Sequence, residues 1–229
     1  TTAKDLLNCT DAIPLTPLSV DDLASLANSK ARMSYSASER PPGLHDVLEV
    51  AAQLKAKGHI NSRMGNVHLG IGAVACCEGR YQDAKAEFLA AHEIFANLGN
   101  ESSRAHQASQ MGLCCLRLGQ YEEAIKWSQS ATPSGELQFL GYMECQISFS
   151  SGASYALLGK YQEASGAISR LDTRLPESAP LWIKQAWGLH KADILCLSGR
   201  RPEALQVAAD ALRSARGTLH SAFFAGPFA

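Results

Sequence analysis

The sequence predicts an all-α protein, a solenoid in which helical hairpins stack one after another. The first observation is a six-residue phrase that recurs every 40 residues and begins at Gly79, Gly119, Gly159 and Gly199. The second is a small residue seven positions before each phrase, at Gly72, Gly112, Gly152 and Ala192. A strict period of this length is typical of one supersecondary unit repeated in an array. Such arrays act through a long surface rather than through an enclosed pocket.

Each repeat is predicted to be a hairpin of two helices, A and B. In the second repeat, helix A runs from about Ser102 to Leu118 and helix B from about Tyr121 to Ala131. The glycine between them can end helix A in the left-handed conformation, because it has no Cβ. An acidic residue then lies in the first turn of helix B, where the helix dipole favours negative charge. These acids are Asp83, Glu123, Glu163 and Glu203.

Small residues on both helices predict how the two helices of a hairpin meet. A glycine inside a helix lowers helix stability by about 1 kcal/mol relative to alanine. Glycines that recur at the same position of successive A helices are therefore expected to serve a packing purpose. We expect them to allow close approach of helix B, with Phe88 and Ile168 filling the space beside the contact. The residues expected opposite the small positions are Ala84, Ala124, Ala164 and Ala204.

The repeat resembles the tetratricopeptide repeat (TPR). The resemblance rests on the small residues of helix A, on Gly-x-Tyr-x-Glu-Ala at the turn and on a later alanine in helix B, over residues 62–213. It implies a right-handed α-α superhelix of TPR-like hairpins. The interval of 40 residues departs from the usual 34. The aromatic common near the start of helix A is also replaced, by His68, Ala108, Ser148 and Gly188.

The phase of the repeats divides the chain into four predicted parts. Residues 1–18 form an extended segment, and residues 19–58 form a degenerate helical hairpin that caps the array, since terminal repeats are often atypical. Residues 59–217 contain four TPR-like repeats, and residues 218–229 begin a truncated fifth. The last part is apolar and unfinished, which predicts that the chain is one segment of a longer multidomain protein.

Composition argues against several classes of partner. A net charge of −1 and a pI near 6.6 provide no field that would attract nucleic acid or an anionic membrane. Polar residues interrupt every uncharged stretch, so no membrane-spanning helix is expected. The seven cysteines have no Cys-x-x-Cys spacing and fall mostly on the apolar register of the helices. They read as small core residues in a reducing compartment, which predicts a cytoplasmic protein.

No motif predicts catalysis, a cofactor or a metal site. The seven histidines form no zinc-binding spacing. The segment from Gly65 to Gly70 opens like a phosphate loop, but Ile71 stands where a lysine is needed. The hydroxyl-rich run from Ser148 to Ser154 lacks the Gly-x-Ser-x-Gly nucleophile elbow. We therefore expect a protein that is not an enzyme, with no cofactor and no metal.

Three charged residues share one phase near the start of successive A helices: Arg104, Glu144 and Lys184. Because they alternate in sign, stacked neighbours could pair along the array. Exposed pairs of this kind contribute under about 1 kcal/mol each. We expect a ladder of such pairs, and the alternative is a role in recognition.

By resemblance to TPR proteins, an extended peptide or a partner helix would bind in a concave groove lined by the A helices. The lining is mostly neutral, with amides and imidazoles that can hydrogen-bond a peptide backbone. It does not match the Lys and Asn with which some TPR modules hold a C-terminal carboxylate. The predicted groove residues are Asn66, Leu69, His106, Ser109, Gln110, Gln146, Phe149, Leu189, His190 and Asp193.

Three functions are compatible with this sequence. We favour a non-catalytic scaffold that binds a protein or peptide, as a segment of a larger regulatory protein, with no nucleic-acid or membrane partner. The second is a self-association module, forming a homo-oligomer, or a structural spacer. The third is a ligand-sensing arm of a multidomain signalling protein or transcription activator.

Overall fold

A computed structural model describes residues 62–131, 140–175, 177 and 179–215, and these ranges contain helices and no strand. The predicted extended segment 1–18, cap 19–58 and truncated repeat 218–229 lie outside the described residues. The helices alternate as A and B helices of four hairpins, which confirms the all-α fold of consecutive hairpins. They are α1 (Ser62–Cys77), α2 (Tyr81–Asn97), α3 (Glu101–Arg117), α4 (Tyr121–Ser130), α5 (Leu140–Leu157), α6 (Tyr161–Arg174), α7 (Leu181–Leu197) and α8 (Arg201–Ala215).

The helices belong to two compact units, which divide within α3 between Gln107 and Ala108. In the first unit, α1 packs against α2. In the second unit, α5 packs against α4, α6 and α7, and α7 also packs against α8. The helix α5 is therefore the central element of the second unit. None of the described helices is both long enough and apolar enough to cross a membrane.

The turn between the two helices of each hairpin has the predicted geometry. Gly119 and Gly159 both have a φ of 74°, in the left-handed region. The amide of Gln120 donates to the carbonyl of Cys115 at 2.8 Å, which satisfies one of the last carbonyls of α3. The first-turn acid of α2 also has a partner, since Arg80 Nη1 lies 2.6 Å from Asp83 Oδ2.

The glycines of the A helices meet the expected alanine in one hairpin and other neighbours in two. The alanines 84, 124, 164 and 204 are buried, and a Cβ at Gly112 would lie 3.4 Å from the carbonyl oxygen of Ala124, as expected. A Cβ at Gly72 would instead lie 2.6 Å from the ring of Phe88, one turn further along helix B. A Cβ at Gly152 would lie 3.2 Å from Ala167 Cβ and 2.8 Å from Ile194 Cδ1 of the next A helix.

A pair of hydroxyl groups fills the space beside Gly112. The oxygens of Ser128 on α4 and Ser150 on α5 lie 2.7 Å apart, and a Cβ at Gly112 would lie 3.0 Å from the first and 3.3 Å from the second. Each hydroxyl oxygen is also 2.8 Å from a carbonyl one turn earlier in its own helix. Ser150 of α5 thus serves close packing between α4 and α5.

Apolar side chains and one hydrogen-bonded carboxylate hold the second unit together. The core includes Phe149, Leu171 and Ile194. At its edge Asp172 accepts hydrogen bonds from Trp187 Nε1 at 2.8 Å and from Lys191 Nζ at 2.6 Å, which joins α6 to α7. Burial, with a contribution from the neighbouring Glu144, raises the pKa of the Cys145 thiol to about 12. That thiol therefore remains protonated and acts as a small core residue.

The expected ladder of charges along the A helices is not formed. Glu144 pairs with Arg174 of its own hairpin, at 3.0 Å between Oε1 and Nη1. Lys184 donates instead to the carbonyl of Glu177. Arg104 pairs with Glu101 one turn earlier in α3, at 2.9 Å from Nε to Oε2. The partners thus lie in the same helix, in the same hairpin or in the connection before α7, and not on the neighbouring A helix.

The packing at Gly112 generates a stability prediction. Gly112→Leu should lower the free energy of unfolding by about 1–3 kcal/mol, because the added side chain overfills the space occupied by Ser128 and Ser150. The matched control is Gly166→Leu, at an exposed site of α6 where an added Cβ meets nothing within 4 Å. The control should stabilise the protein by up to about 1 kcal/mol through helix propensity. Urea unfolding followed by circular dichroism measures both, and equal shifts would contradict the packing described.

Candidate functional site

The A helices of the second unit share a polar surface, which we call the amide–imidazole face. It comprises Gln110 of α3, Gln146 and Phe149 of α5, and His190 and Asp193 of α7. The buried Ser109 and the partly exposed Leu189, also predicted from the sequence, lie beside it. Helical periodicity explains the grouping, since residues three or four apart lie on one side of a helix. The face therefore draws on three consecutive A helices.

Two glutamine amides join α3 to α5. The Nε2 of Gln110 donates to Oε1 of Gln146 at 3.2 Å, and Ser109 Oγ donates to the same oxygen at 3.3 Å. In return, Gln146 Nε2 lies 3.5 Å from Gln110 Oε1. Gln146 is only 5% exposed, whereas Gln110 is partly open to solvent. Gln146 therefore orients Gln110, and of the two amides that of Gln110 is the more exposed.

An aromatic stack joins α5 to α7. The rings of Phe149 and His190 have centroids 4.2 Å apart and planes inclined by 18°. Phe149 is buried, and His190 is partly exposed. Burial lowers the pKa of His190 from 6.5 to about 4, and the positive charge of Arg117 acts in the same direction. At neutral pH the imidazole is uncharged and has one donor and one acceptor nitrogen.

Arg117, the last residue of α3, is a functional candidate that sequence reasoning missed. Its charge influences both His190 and Asp193. Desolvation raises the pKa of Asp193 above its ordinary value, and Arg117 opposes that rise. The other repeats place Cys77, Leu157 and Leu197 at the phase of Arg117. An arginine at a repeat position where the other three residues are uncharged was the signal that could have identified it.

Three predicted groove residues belong to the first unit. Asn66 and Leu69 are partly exposed on α1, and His106 is partly exposed on α3. Burial lowers the pKa of His106 to about 4, so this imidazole is also neutral at neutral pH. His68, where the TPR pattern usually has an aromatic, instead lies 2.6 Å from Glu87 Oε2 and links α1 to α2.

The chemistry of the amide–imidazole face is that of neutral hydrogen bonding. Gln110 and His190 provide donors and acceptors without net charge, and Arg117 and Asp193 add one charge of each sign. Such a surface can pair with backbone amides and carbonyls whatever the sequence of the ligand. Within the ranges described, no three histidine, cysteine or carboxylate side chains are grouped so as to hold a metal ion.

Comparison with known proteins relates the repeats to one family. Residues 63–134 match the family model of the tetratricopeptide repeat. None of the curated proteins compared with the chain matches it in sequence. Solved structures do share its fold. Aspartyl phosphate phosphatase F from Bacillus subtilis is 21% identical over 85% of this chain, with a TM-score of 0.66, and this chain spans 50% of its length.

Two further structures have similar folds. A Podosopora anserina protein described as a kinesin light chain with nearly identical TPR-like repeats is 15% identical, with a TM-score of 0.60. The match covers 87% of this chain and 98% of that one. A Rap protein complexed with competence and sporulation factor is 16% identical, with a TM-score of 0.57, over 86% of this chain and 58% of its own. At these identities the likeness concerns the fold alone.

The environment of His190 predicts a pH dependence of stability. Between pH 6.5 and about 4 the unfolded state binds a proton at this residue and the folded state does not, so stability falls as the pH is lowered through this range. His190→Phe keeps an aromatic ring against Phe149 and removes the imidazole that takes up this proton. Wild type should therefore lose about 1–2 kcal/mol more than the variant across the range. Urea unfolding at both pH limits measures the difference, and an NMR titration that places His190 near 6.5 would contradict it.

Proposed function

We propose that this chain, of which residues 63–134 match the tetratricopeptide repeat model, is a non-catalytic scaffold that binds an extended segment of a partner protein. The observation that carries this proposal is the amide–imidazole face. Its exposed hydrogen-bonding groups are the amide of Gln110 on α3 and the neutral imidazole of His190 on α7, and the buried Gln146 and Phe149 of α5 support them. An extended peptide exposes one donor and one acceptor per residue along its backbone. A neutral amide and a neutral imidazole can pair with such a backbone.

Buried side chains hold the exposed residues of the face in fixed positions, which favours binding. Gln146 and Phe149 are buried and hold Gln110 and His190 in position by a hydrogen bond and a ring stack. A surface whose side chains are already ordered loses less conformational entropy when a ligand binds. The sequence-predicted residues thus divide into two roles. Buried residues orient the exposed ones, and the exposed ones contact the partner.

Charges at one edge of the face would add selectivity. The charge of Arg117 acts on both His190 and Asp193, so the three side chains lie near one another. A partner with an acidic side chain beside Arg117, or a basic one beside Asp193, would bind in one register along the face. Electrostatic complementarity of this kind contributes to specificity more than to affinity. We therefore propose that backbone contacts hold the partner and that these two residues set its register.

The structural neighbours support a protein partner. The Rap protein was solved with competence and sporulation factor bound to it. Another neighbour, aspartyl phosphate phosphatase F, is named for a phosphatase activity. This chain spans only half the length of that protein. Buried thiols at Cys114, Cys115 and Cys145, none of them in a disulfide, suit a reducing compartment, and we propose a cytoplasmic location for the scaffold.

Selection from a phage-displayed library of random peptides tests this function. The protein should select extended peptides, and Gln110→Ala and His190→Ala should each weaken a selected peptide about fivefold, the loss of one net hydrogen bond. The matched control is Gln162→Ala, an exposed glutamine on α6. Fluorescence anisotropy measures the three affinities. Failure to select any peptide, or an equal loss in the control, would contradict the proposal.

A further inference from the structure

A solvent-connected cavity lies between α4, α5 and α6 of the second unit. Its volume is about 160 Å³. The lining consists of Ser128, Gln129, Glu144, Ile147, Ser148, Ser151, Tyr155, Arg170 and Arg174. None of these residues belongs to the amide–imidazole face, although α5 contributes to both. The cavity is thus a second polar site, separate from the one to which we assign peptide binding.

Two arginines give the cavity its charge. Arg170 and Arg174 are four residues apart on α6 and so lie on the same side of the helix, where like charges repel weakly. The Nη1 of Arg174 donates to Glu144 Oε1 at 3.0 Å, which fixes this guanidinium while leaving its other N–H groups for a ligand. Arg170 forms no ion pair with the residues that the structure describes. Among the charged residues of the lining, Glu144 pairs with Arg174, and the positive charge of Arg170 remains.

Two hydroxyl groups in the lining also lack partners. Ser148 is only 3% exposed, and its hydroxyl makes no hydrogen bond with any described residue. The same is true of the Tyr155 hydroxyl. Both residues line the cavity, so their hydroxyls can donate hydrogen bonds to a molecule bound there. Ser148 and Tyr155 are seven residues apart on α5, two turns along one side of the helix.

We propose that this cavity binds a small organic oxyanion, a carboxylate or a phosphate monoester. Arg170 and Arg174 would pair with the oxyanion, and the hydroxyls of Ser148 and Tyr155 would donate hydrogen bonds to it. The volume is close to that of a cavity that holds a benzene ring. The ligand is therefore a small molecule, bound independently of any peptide on the amide–imidazole face.

Isothermal titration calorimetry of the whole chain tests this site. Phenyl phosphate and benzoate are the probes, and benzyl alcohol is the uncharged comparison. At least one oxyanion should bind saturably and more tightly than the alcohol, and the stronger of the two identifies the preferred group. Arg170→Gln should weaken that binding about tenfold or more, since a charge-assisted hydrogen bond is lost. The exposed Arg170 side chain makes no hydrogen bond or ion pair in the described part of the protein, so this variant should fold as wild type does.

Two further variants separate a specific site from a general effect of charge. Tyr155→Phe removes only the hydroxyl and should weaken binding about threefold to tenfold. Arg213→Gln removes an exposed arginine of α8 outside the cavity and should leave binding unchanged. An equal loss in Arg170→Gln and Arg213→Gln would overturn the proposal, as would wild type that binds neither oxyanion. A library-selected peptide should bind Arg170→Gln as it binds wild type, so failure of one site is distinguishable from failure of the other.

Discussion

Close approach of helices at the A-helix glycines is the constraint on which the second unit depends. Gly112 leaves room for a hydroxyl from α4 and another from α5. Gly152 leaves room for Ala167 of its own hairpin and Ile194 of the next. One small residue therefore sets two distances, between the helices of a hairpin and between successive A helices. The helix-propensity cost of about 1 kcal/mol for each glycine is offset by packing on both sides.

The amide–imidazole face exists because successive A helices are this close. An amide hydrogen bond from Gln110 to Gln146 and a ring stack from Phe149 to His190 both require side chains of adjacent repeats to touch. The same proximity removes water from His190, which keeps the imidazole neutral. The packing residues thus determine the protonation state of the binding surface. A larger residue at the glycine phase would alter both.

Local signals were predictable from the sequence, and contacts between repeats were not. The turn at Gly119 depends on one residue that tolerates a positive φ, so the phrase alone located the ends of α3 and α4 to within one residue. The neighbours of Gly152 and the partner of Glu144 depend on how one helix is rotated against the next. The 40-residue repeat predicts which residues are equivalent in successive hairpins. It does not predict which face of a helix packs against the following hairpin. Arg117 escaped notice for the same reason.

The serines of α5 show how the structure distinguishes a packing residue from a ligand-binding one. Ser150 pairs with Ser128, and Ser151 Oγ lies 2.7 Å from the carbonyl of Ile147, so both hydroxyls have partners inside the protein. Ser154 is fully buried without a hydrogen bond among the described residues. That hydroxyl therefore remains a cost to stability. Ser148 differs from it, because its side chain lines the cavity that Arg170 and Arg174 flank. There a ligand from solvent can supply a hydrogen-bonding partner.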